Sequence, residues 1–547
     1  MSLPSREDIE VELELPEGRR TLLVPPEARG LSLSDWLRRA GEPLNTRCGE
    51  RGLCQGCVVE LVAVRLARMS GGAIVEAGQE PVPLHGCQVR VAGGRVRLRI
   101  PPRARLAHRP QVVSELRLGV PRAHDPLAGA SHLGVAVDAG TTTVTVALVD
   151  LSDGAVRSIA SAFNRQMHFG DDVLTRIHLC RDDPAMLARL SAALVRDTLA
   201  PLVTEALERA GEPARRIGAF SIAGNTTMLH LLAGVDPSPL GTAPFEAPFL
   251  AERVLAARDL GFEEIDAPVH LLPGAAAYVG ADVCAGVLAT GLAWDEGPSL
   301  LVDAGTNGEI VLRHEGRTLA CATAAGPAFE GAGLACGMRA GDGAIEHVRL
   351  RGRPLRIECD VIGKARPAGL CGSAYVEWLA EARAAGLVTQ TGRLDRSAFE
   401  GAEGLLVESD GLGLAVQVAR GRGLRPIVVT ERDVATLLQA KAAIAAGILT
   451  LLARENVSPA GVRRVHLAGG LGARTSVPHA IGCGLLPGFR PEQTDAAGNA
   501  SLAGAYLALV DRGALVELER IARETRVIEL NLDPGFEARY VDGLLLP

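Results

Sequence analysis

One strand-turn-strand pattern occurs twice in this chain and constrains its fold more than any other feature. GVAVDAGTTTVTVALVD (134–150) and SLLVDAGTNGEIVL (299–312) share the tetrad Asp-Ala-Gly-Thr at 138–141 and 303–306. Each tetrad leaves one apolar strand and enters another. Two copies of a supersecondary unit imply two similar lobes. From Leu133 onward, short apolar strands ending in Gly-rich turns alternate with amphipathic helical runs such as Met186–Ala210 and Arg432–Arg454, the pattern of an α/β domain.

Residues ahead of the repeat read differently. IEVELELPEGRRTLLV (9–24) alternates Val11, Leu13 and Leu15 around Pro16-Glu17-Gly18, the signature of a β-hairpin with one buried face. SLSDWLRRAG follows as a short helix, with Ser32 or Ser34 as its cap and Gly41 as its stop. Further strand-like runs at Val58–Val64 and Val89–Ile100 complete a unit of residues 1–100. Five prolines and five arginines then mark 101–130 as a solvated linker, leaving 131–547 for the two lobes.

Within the first unit Cys48, Cys54 and Cys57 form C-x5-C-x2-C, with Cys87 thirty residues later. Four thiolates with one CxxC can hold a [2Fe–2S] cluster or a zinc ion. Zinc commonly takes two CxxC knuckles, whereas the glycines of CGERGLCQGC let backbone N–H groups approach bridging sulfides, which favours the cluster. The other cysteines (180, 284, 321, 336, 359, 371 and 483) lack metal spacing and read as small buried apolar residues.

Only Lys364 and Lys441 are lysines, and each precedes alanine, which excludes a Walker A loop. A nucleotide must be held by other means. Oriented turn amides and hydroxyls can bind a phosphate chain without lysine. On that reading Asp138 and Asp303 hold Mg²⁺ through water, Gly140, Thr141, Thr142 and Thr143 contact one side of a triphosphate, and Gly305, Thr306 and Asn307 contact the other. VHLAGGLGAR (465–474) runs a strand into Gly469, Gly470 and Gly472, where a base and ribose can lie against bare backbone. Asn225 is a candidate to orient an attacking water. Glu309, Glu330, Asp172 and Asp282 read first as turn or helix-cap residues. A net charge of −7 argues against a nucleic-acid binder, and the longest apolar run, Ala442–Ala453, is too short to span a bilayer, so a cytoplasmic protein with no membrane contact is expected.

The cysteine loop resembles that of [2Fe–2S] ferredoxins, and the order of two DAGT turns followed by a Gly-rich turn resembles the actin, sugar kinase and Hsp70 ATPases. SIAGNTTMLHLLAG (221–234), AAGPAFEGAGLACGMRAGDGAIE (324–346), GLCGSA (369–374) and GNASLAGA (498–505) resemble blocks of the reductive activators of corrinoid proteins. The resemblance implies an α+β β-grasp ferredoxin domain followed by a duplicated, ribonuclease H-like α/β ATPase. It implies a [2Fe–2S] cluster on Cys48, Cys54, Cys57 and Cys87, MgATP in the cleft, and one-electron reduction of cob(II)amide to cob(I)amide. Its partners would be an upstream low-potential donor and a corrinoid protein, either a methyltransferase corrinoid subunit or a corrinoid iron–sulfur protein, with a homodimer compatible with the family. Plant-type ferredoxins work near about −400 mV, and each roughly 59 mV uphill costs tenfold in a one-electron equilibrium, so hydrolysis would drive the transfer. Alternatives are an ATP-driven electron donor to another metalloenzyme, a redox-regulated small-molecule kinase, and an ATP-gated binding protein.

Overall fold

The computed structural model describes residues 9–15, 18–46, 50, 57–63, 65–68, 74–77, 81–91, 95–101, 104–105, 116–121, 123–129, 131–305, 307–409, 413–421, 426–472 and 474–547. The chain divides into two compact units, residues 1–109 with 166–171, and residues 110–165 with 172–547.

In the first unit, β1 (Ile9–Leu15) and β2 (Gly18–Val24) form the expected antiparallel pair. Ile9, Val11, Leu13 and Leu15 are buried on one face of β1, while Glu12 and Glu14 meet Arg97 and Arg99 on the other at 3.0 Å. β3 (Val58–Ala63), β4 (Arg65–Arg68), β5 (Ile74–Glu76), β6 (Val82–His85), β7 (Val89–Val91) and β8 (Arg95–Arg99) follow. The sheet order is β2-β1-β8-β3-β6, with β8 parallel to β1, and β5-β4-β7 form a small second sheet. The helix Leu33–Arg39 begins where Ser32 accepts a hydrogen bond from the Asp35 N–H, and it buries Leu33, Trp36 and Leu37 in the same core as Val11, Leu13, Val96 and Leu98.

The second unit contains the duplication. In its first lobe β9 (Leu133–Ala139), β10 (Thr143–Asp150) and β11 (Val156–Phe163) make an antiparallel meander. β12 (Ile217–Gly224) joins β9 in parallel, and β13 (Arg253–Ala256) and β14 (Pro268–Leu271) complete the order β11-β10-β9-β12-β14-β13. The second lobe repeats the plan with β15 (Ser299–Ala304), β16 (Gly308–His314) and β17 (Arg317–Thr323). Between β17 and its next sheet partner come β18 (Ala344–Arg351), β19 (Arg356–Val361) and β20 (Gly369–Leu370), then β21 (Leu406–Ser409), β22 (Gly413–Arg420) and β23 (Pro426–Thr430), in two three-stranded sheets. β24 (Arg464–Ala468), β25 (Thr494–Gly498) and β26 (Thr525–Val527) close the order β25-β24-β15-β16-β17-β26. β24 pairs in parallel with β15 as β12 does with β9.

After β14 comes the helix Ala281–Thr290, and after β25 the helix Ala500–Val510. These two cross where small residues meet. A Cβ on Gly504 would lie 2.3 Å from the Ala285 carbonyl oxygen, so the crossing depends on that missing methyl. The 24-residue helix Glu431–Arg454 is long and apolar enough by composition to cross a bilayer, with mean hydropathy 1.7 in its most apolar stretch, but 78% of that stretch is buried within the unit. A Thr430–Asp433 capping box starts it, and the buried Lys441 donates to the Leu545 carbonyl at 2.6 Å.

The segment expected as a solvated tether is partly pinned. The Gly119 N–H donates to Ala289 at 2.7 Å, Asp125 to Val510 at 3.0 Å and Leu127 to Leu509 at 3.0 Å. Carbonyls at the C-terminal ends of the two crossing helices accept these three N–H groups.

Candidate active site

Each DAGT aspartate ends the first strand of its lobe and faces the start of one of the two crossing helices. Asp138, at the end of β9, accepts hydrogen bonds from Asn499 Nδ2 and Ser501 Oγ, both at 2.9 Å. Asp303, at the end of β15, lies near Asp282 in the first turn of Ala281–Thr290. Asn499 also caps Ala500–Val510 through the Leu502 N–H at 2.9 Å.

The cleft between the lobes is a cavity of about 260 Å³. Asp138, Gly140, Thr141, Thr142, Thr143 and Asn225 line it from the first lobe, and Asp303, Gly305, Asn307, Gly469 and Gly470 from the second. Two expectations depart from this. Gly472 is not among the lining residues, because the single turn Gly469–Gly472 points it inward, where a Cβ would sit 2.9 Å from Leu467 Cγ. Thr306 lies outside the described residues. Asn225 does two jobs, capping the helix Thr226–Leu232 through the Met228 N–H and donating to Thr141 Oγ1 at 2.9 Å.

Four carboxylates converge here. Burial raises Asp303 to about 7, with the Asp138 charge adding to it. Burial and the nearby Asp303 raise Asp282, also to about 7. Glu309, opposite Asp303 in the β15–β16 register, is pushed well up by burial and by Asp282 and Asp303. Asp138 is raised by burial against the bonds from Asn499 and Ser501. Such crowding of like charges out of water is unfavourable without a cation. Thr145 Oγ1, 1% exposed as a residue and directly across from Asp138, has no hydrogen-bond partner among the described residues. Clustered carboxylate oxygens and one unmet hydroxyl in a cleft fit a hydrated divalent cation with oxygen ligands.

Several lining residues escaped the sequence reading. Asp282 was expected as a helix cap, yet Gly280 is the N-cap and Asp282 is a cleft carboxylate; Asp172 does cap its helix, through the Thr175 N–H at 2.8 Å. Glu330 and Glu309, expected as turn residues, line the cleft, and Thr142 Oγ1 donates to Glu330 Oε2 across it at 2.8 Å. Arg339, 3.5 Å from Glu330, and Arg474, 2.6 Å from Glu346, bring cationic charge to a cleft with no lysine among its described lining residues. Cys371, expected as an inert buried thiol, also lines the cavity.

Two of the four candidate cluster ligands are described. Cys57 and Cys87 are buried, with their sulfurs 3.5 Å apart. A disulfide needs about 2.05 Å, whereas two thiolates bound at about 2.3 Å to one tetrahedral metal stand about 3.8 Å apart. The pair fits adjacent ligands of a single metal. Gln88 Nε2 lies 3.6 Å from the Cys87 sulfur and donates to the Glu50 carbonyl at 2.7 Å. Cys48 and Cys54 lie outside the described residues.

Duplicated lobes, paired aspartate hairpins and the cavity between them define an actin-like nucleotide-binding fold of the ASKHA class. Residues 297–547 match the model described as the C-terminal domain of RACo, the ASKHA domain, and residues 133–295 match the RACo middle region. The chain is 32% identical over 422 residues to the corrinoid activation enzyme RamQ of Eubacterium limosum, covering 75% of this chain and 69% of that protein. It is 30% identical over 266 residues to the [Co(II) methylated amine-specific corrinoid protein] reductase of Methanosarcina barkeri, covering 45% of each. A solved structure titled "Reductive activator for corrinoid,iron-sulfur protein" superposes with a TM-score of 0.72 at 29% identity, covering 98% of both chains. The chain belongs to the RACo family of corrinoid-protein activators.

Proposed function

We propose that this chain is an ATP-dependent reductive activator that returns a corrinoid protein from cob(II)amide to cob(I)amide. The observation that carries the reading is the buried Cys57–Cys87 thiol pair at 3.5 Å on the same chain as the carboxylate-lined cleft. Family membership and the match over 98% of a reductive activator support it.

Cys48, Cys54, Cys57 and Cys87 would ligate a [2Fe–2S] cluster, which when bound stores and passes one electron at low potential. The N-terminal unit is then a ferredoxin-like domain, reduced by an upstream low-potential donor. In the cleft, Asp138 and Asp303, one on each lobe, would hold the Mg²⁺ of ATP through water. Thr141, Thr142 and Thr143 on one hairpin and Thr306 and Asn307 on the other contact the phosphates. Arg339 and Arg474 add charge-assisted contacts, and Gly469 and Gly470 leave room for the nucleoside. Asn225, held by its capping bond and its bond to Thr141, orients the attacking water. Because the two aspartates stand on different lobes, closure on MgATP changes the separation of the lobes. That two-state element is what hydrolysis biases.

The test is anaerobic. The purified chain with a reduced cluster and a cob(II)-loaded corrinoid protein should yield the cob(I) spectrum, with MgATP accelerating or extending the conversion. No cob(I) signal with or without MgATP would overturn the reading, and electron paramagnetic resonance on the reduced chain identifies the cluster type.

A further inference from the structure

A second cavity, of about 500 Å³, shares no lining residue with the nucleotide cleft. Its walls come from different lobes. Phe245 and Tyr278 stand on the first, with their rings edge-on at 5.8 Å, and Phe536 and Tyr540 on the second, with their rings at 6.5 Å. In a sequence only 3% aromatic, half of the four tyrosines meet in one cavity. Phe245 has φ = 60°, a conformation that L-residues rarely adopt, and its side chain is 36% exposed. A strained, exposed aromatic at a cavity mouth points to a ligand rather than to core packing. Among the described residues lining the cavity, Glu529 is the one charged side chain; burial raises the Tyr278 hydroxyl, and the Glu529 charge adds to it.

Aromatic faces with one carboxylate and no cation repel phosphates and attract a positive charge carried on an apolar body. We propose that this cavity binds a small organic cation, a quaternary or fully alkylated ammonium, and that its occupancy is coupled to that of the nucleotide cleft. Each wall is tied to one phosphate hairpin. The Ala276 carbonyl, on the first wall, accepts from Thr226 Oγ1 at 2.8 Å, and Thr226 follows Asn225, which donates to Thr141. Thr323, on the second, donates to the Gly308 carbonyl at 3.1 Å, where the Asp303 turn enters β16. A nucleotide that moves one hairpin relative to the other therefore changes the gap between the aromatic pairs. The coupling is reciprocal, as linkage requires.

The probes are choline and its neutral isostere 3,3-dimethylbutan-1-ol, titrated calorimetrically into the full chain with and without a non-hydrolysable MgATP analogue. Choline should bind at least about tenfold more tightly than the isostere. Glu529→Gln and Phe536→Ala should each weaken choline about tenfold, with the chain's intrinsic ATPase as the control that the variants fold. The analogue should shift choline affinity, and choline should shift analogue affinity by the same factor. Equal binding of choline and isostere, no binding of choline at millimolar concentration, or unchanged affinity in both variants would overturn the site. Choline affinity identical with and without the analogue would overturn the coupling. No corrinoid protein takes part, so these outcomes are independent of the activator reading.

Discussion

Replacing Asp303 by asparagine should make the nucleotide-free chain more stable while abolishing ATP hydrolysis. Partial burial in the cleft, with the Asp138 charge adding to it, raises the Asp303 carboxyl from its usual 3.8 to about 7. A group whose pKa is raised on folding contributes stability below its unfolded pKa, and that contribution is lost as pH rises through the folded value. At about 1.4 kcal/mol per unit, ionising Asp303 in place costs about 4 kcal/mol at pH 8 and under about 2 kcal/mol at pH 5. Asp303→Asn removes that cost and relieves Asp282 and Glu309, both raised partly by the Asp303 charge. Urea denaturation of the Mg²⁺-free chain, followed through the second unit, should give a variant about 2–4 kcal/mol more stable at pH 8, with the gap shrinking at pH 5. Added MgATP should stabilise the parent and not the variant, because only the parent retains both carboxylates for the cation. A variant less stable than the parent at pH 8, or a gap independent of pH, would refute the electrostatic account of the cleft.

Other consequences are as direct. Mg²⁺ affinity of the parent should climb between about pH 5 and 8, since cation binding must displace protons from Asp282 and Asp303; calorimetry in buffers of different ionisation enthalpy would count them. Asn499→Ala strips Asp138 of one donor and the following helix of its cap, and should cost about 1–3 kcal/mol in stability together with a higher KM for ATP, read by denaturation and steady-state ATPase. Gly469→Ala places a Cβ 2.2 Å from Asp303 Oδ1 at a residue with φ = 83°, so ATPase should fall at least about tenfold while the absorbance of the reconstituted cluster stays that of the parent. Cys57→Ser should lose most of the reconstituted iron and visible absorbance and leave ATP binding intact, as measured by iron content and nucleotide titration.

Features written in local sequence were legible, and those created by the meeting of lobes were not. The hairpin at β1–β2, the Ser32 cap, the Asp172 cap and both DAGT turns follow from periodicity and turn chemistry within a dozen residues. Asp282 shows the limit. In Gly-Ala-Asp-Val it reads as a cap, and only the approach of Asp303 from the other lobe makes it a cleft carboxylate. Arg339 and Arg474 stand in Gly-rich stretches with no spacing to mark them, and their charge matters because Glu330, Glu346 and the cavity lie beside them. Asn499 and Ser501 sat in a block singled out for its family likeness, yet their bonds to Asp138 span more than 360 residues of chain. Gly472 erred the other way, since a glycine inside a Gly-rich turn can serve packing against Leu467 as readily as a ligand.

The placing of one hairpin aspartate on each lobe, both turned toward the same cavity, makes the cleft a coincidence detector. A ligand touching one hairpin satisfies half the charges and leaves the other half repelling. Only a polyphosphate long enough to reach both, carrying its own metal, silences all four carboxylates together. Discrimination between a triphosphate and its spent diphosphate would thereby be a matter of span.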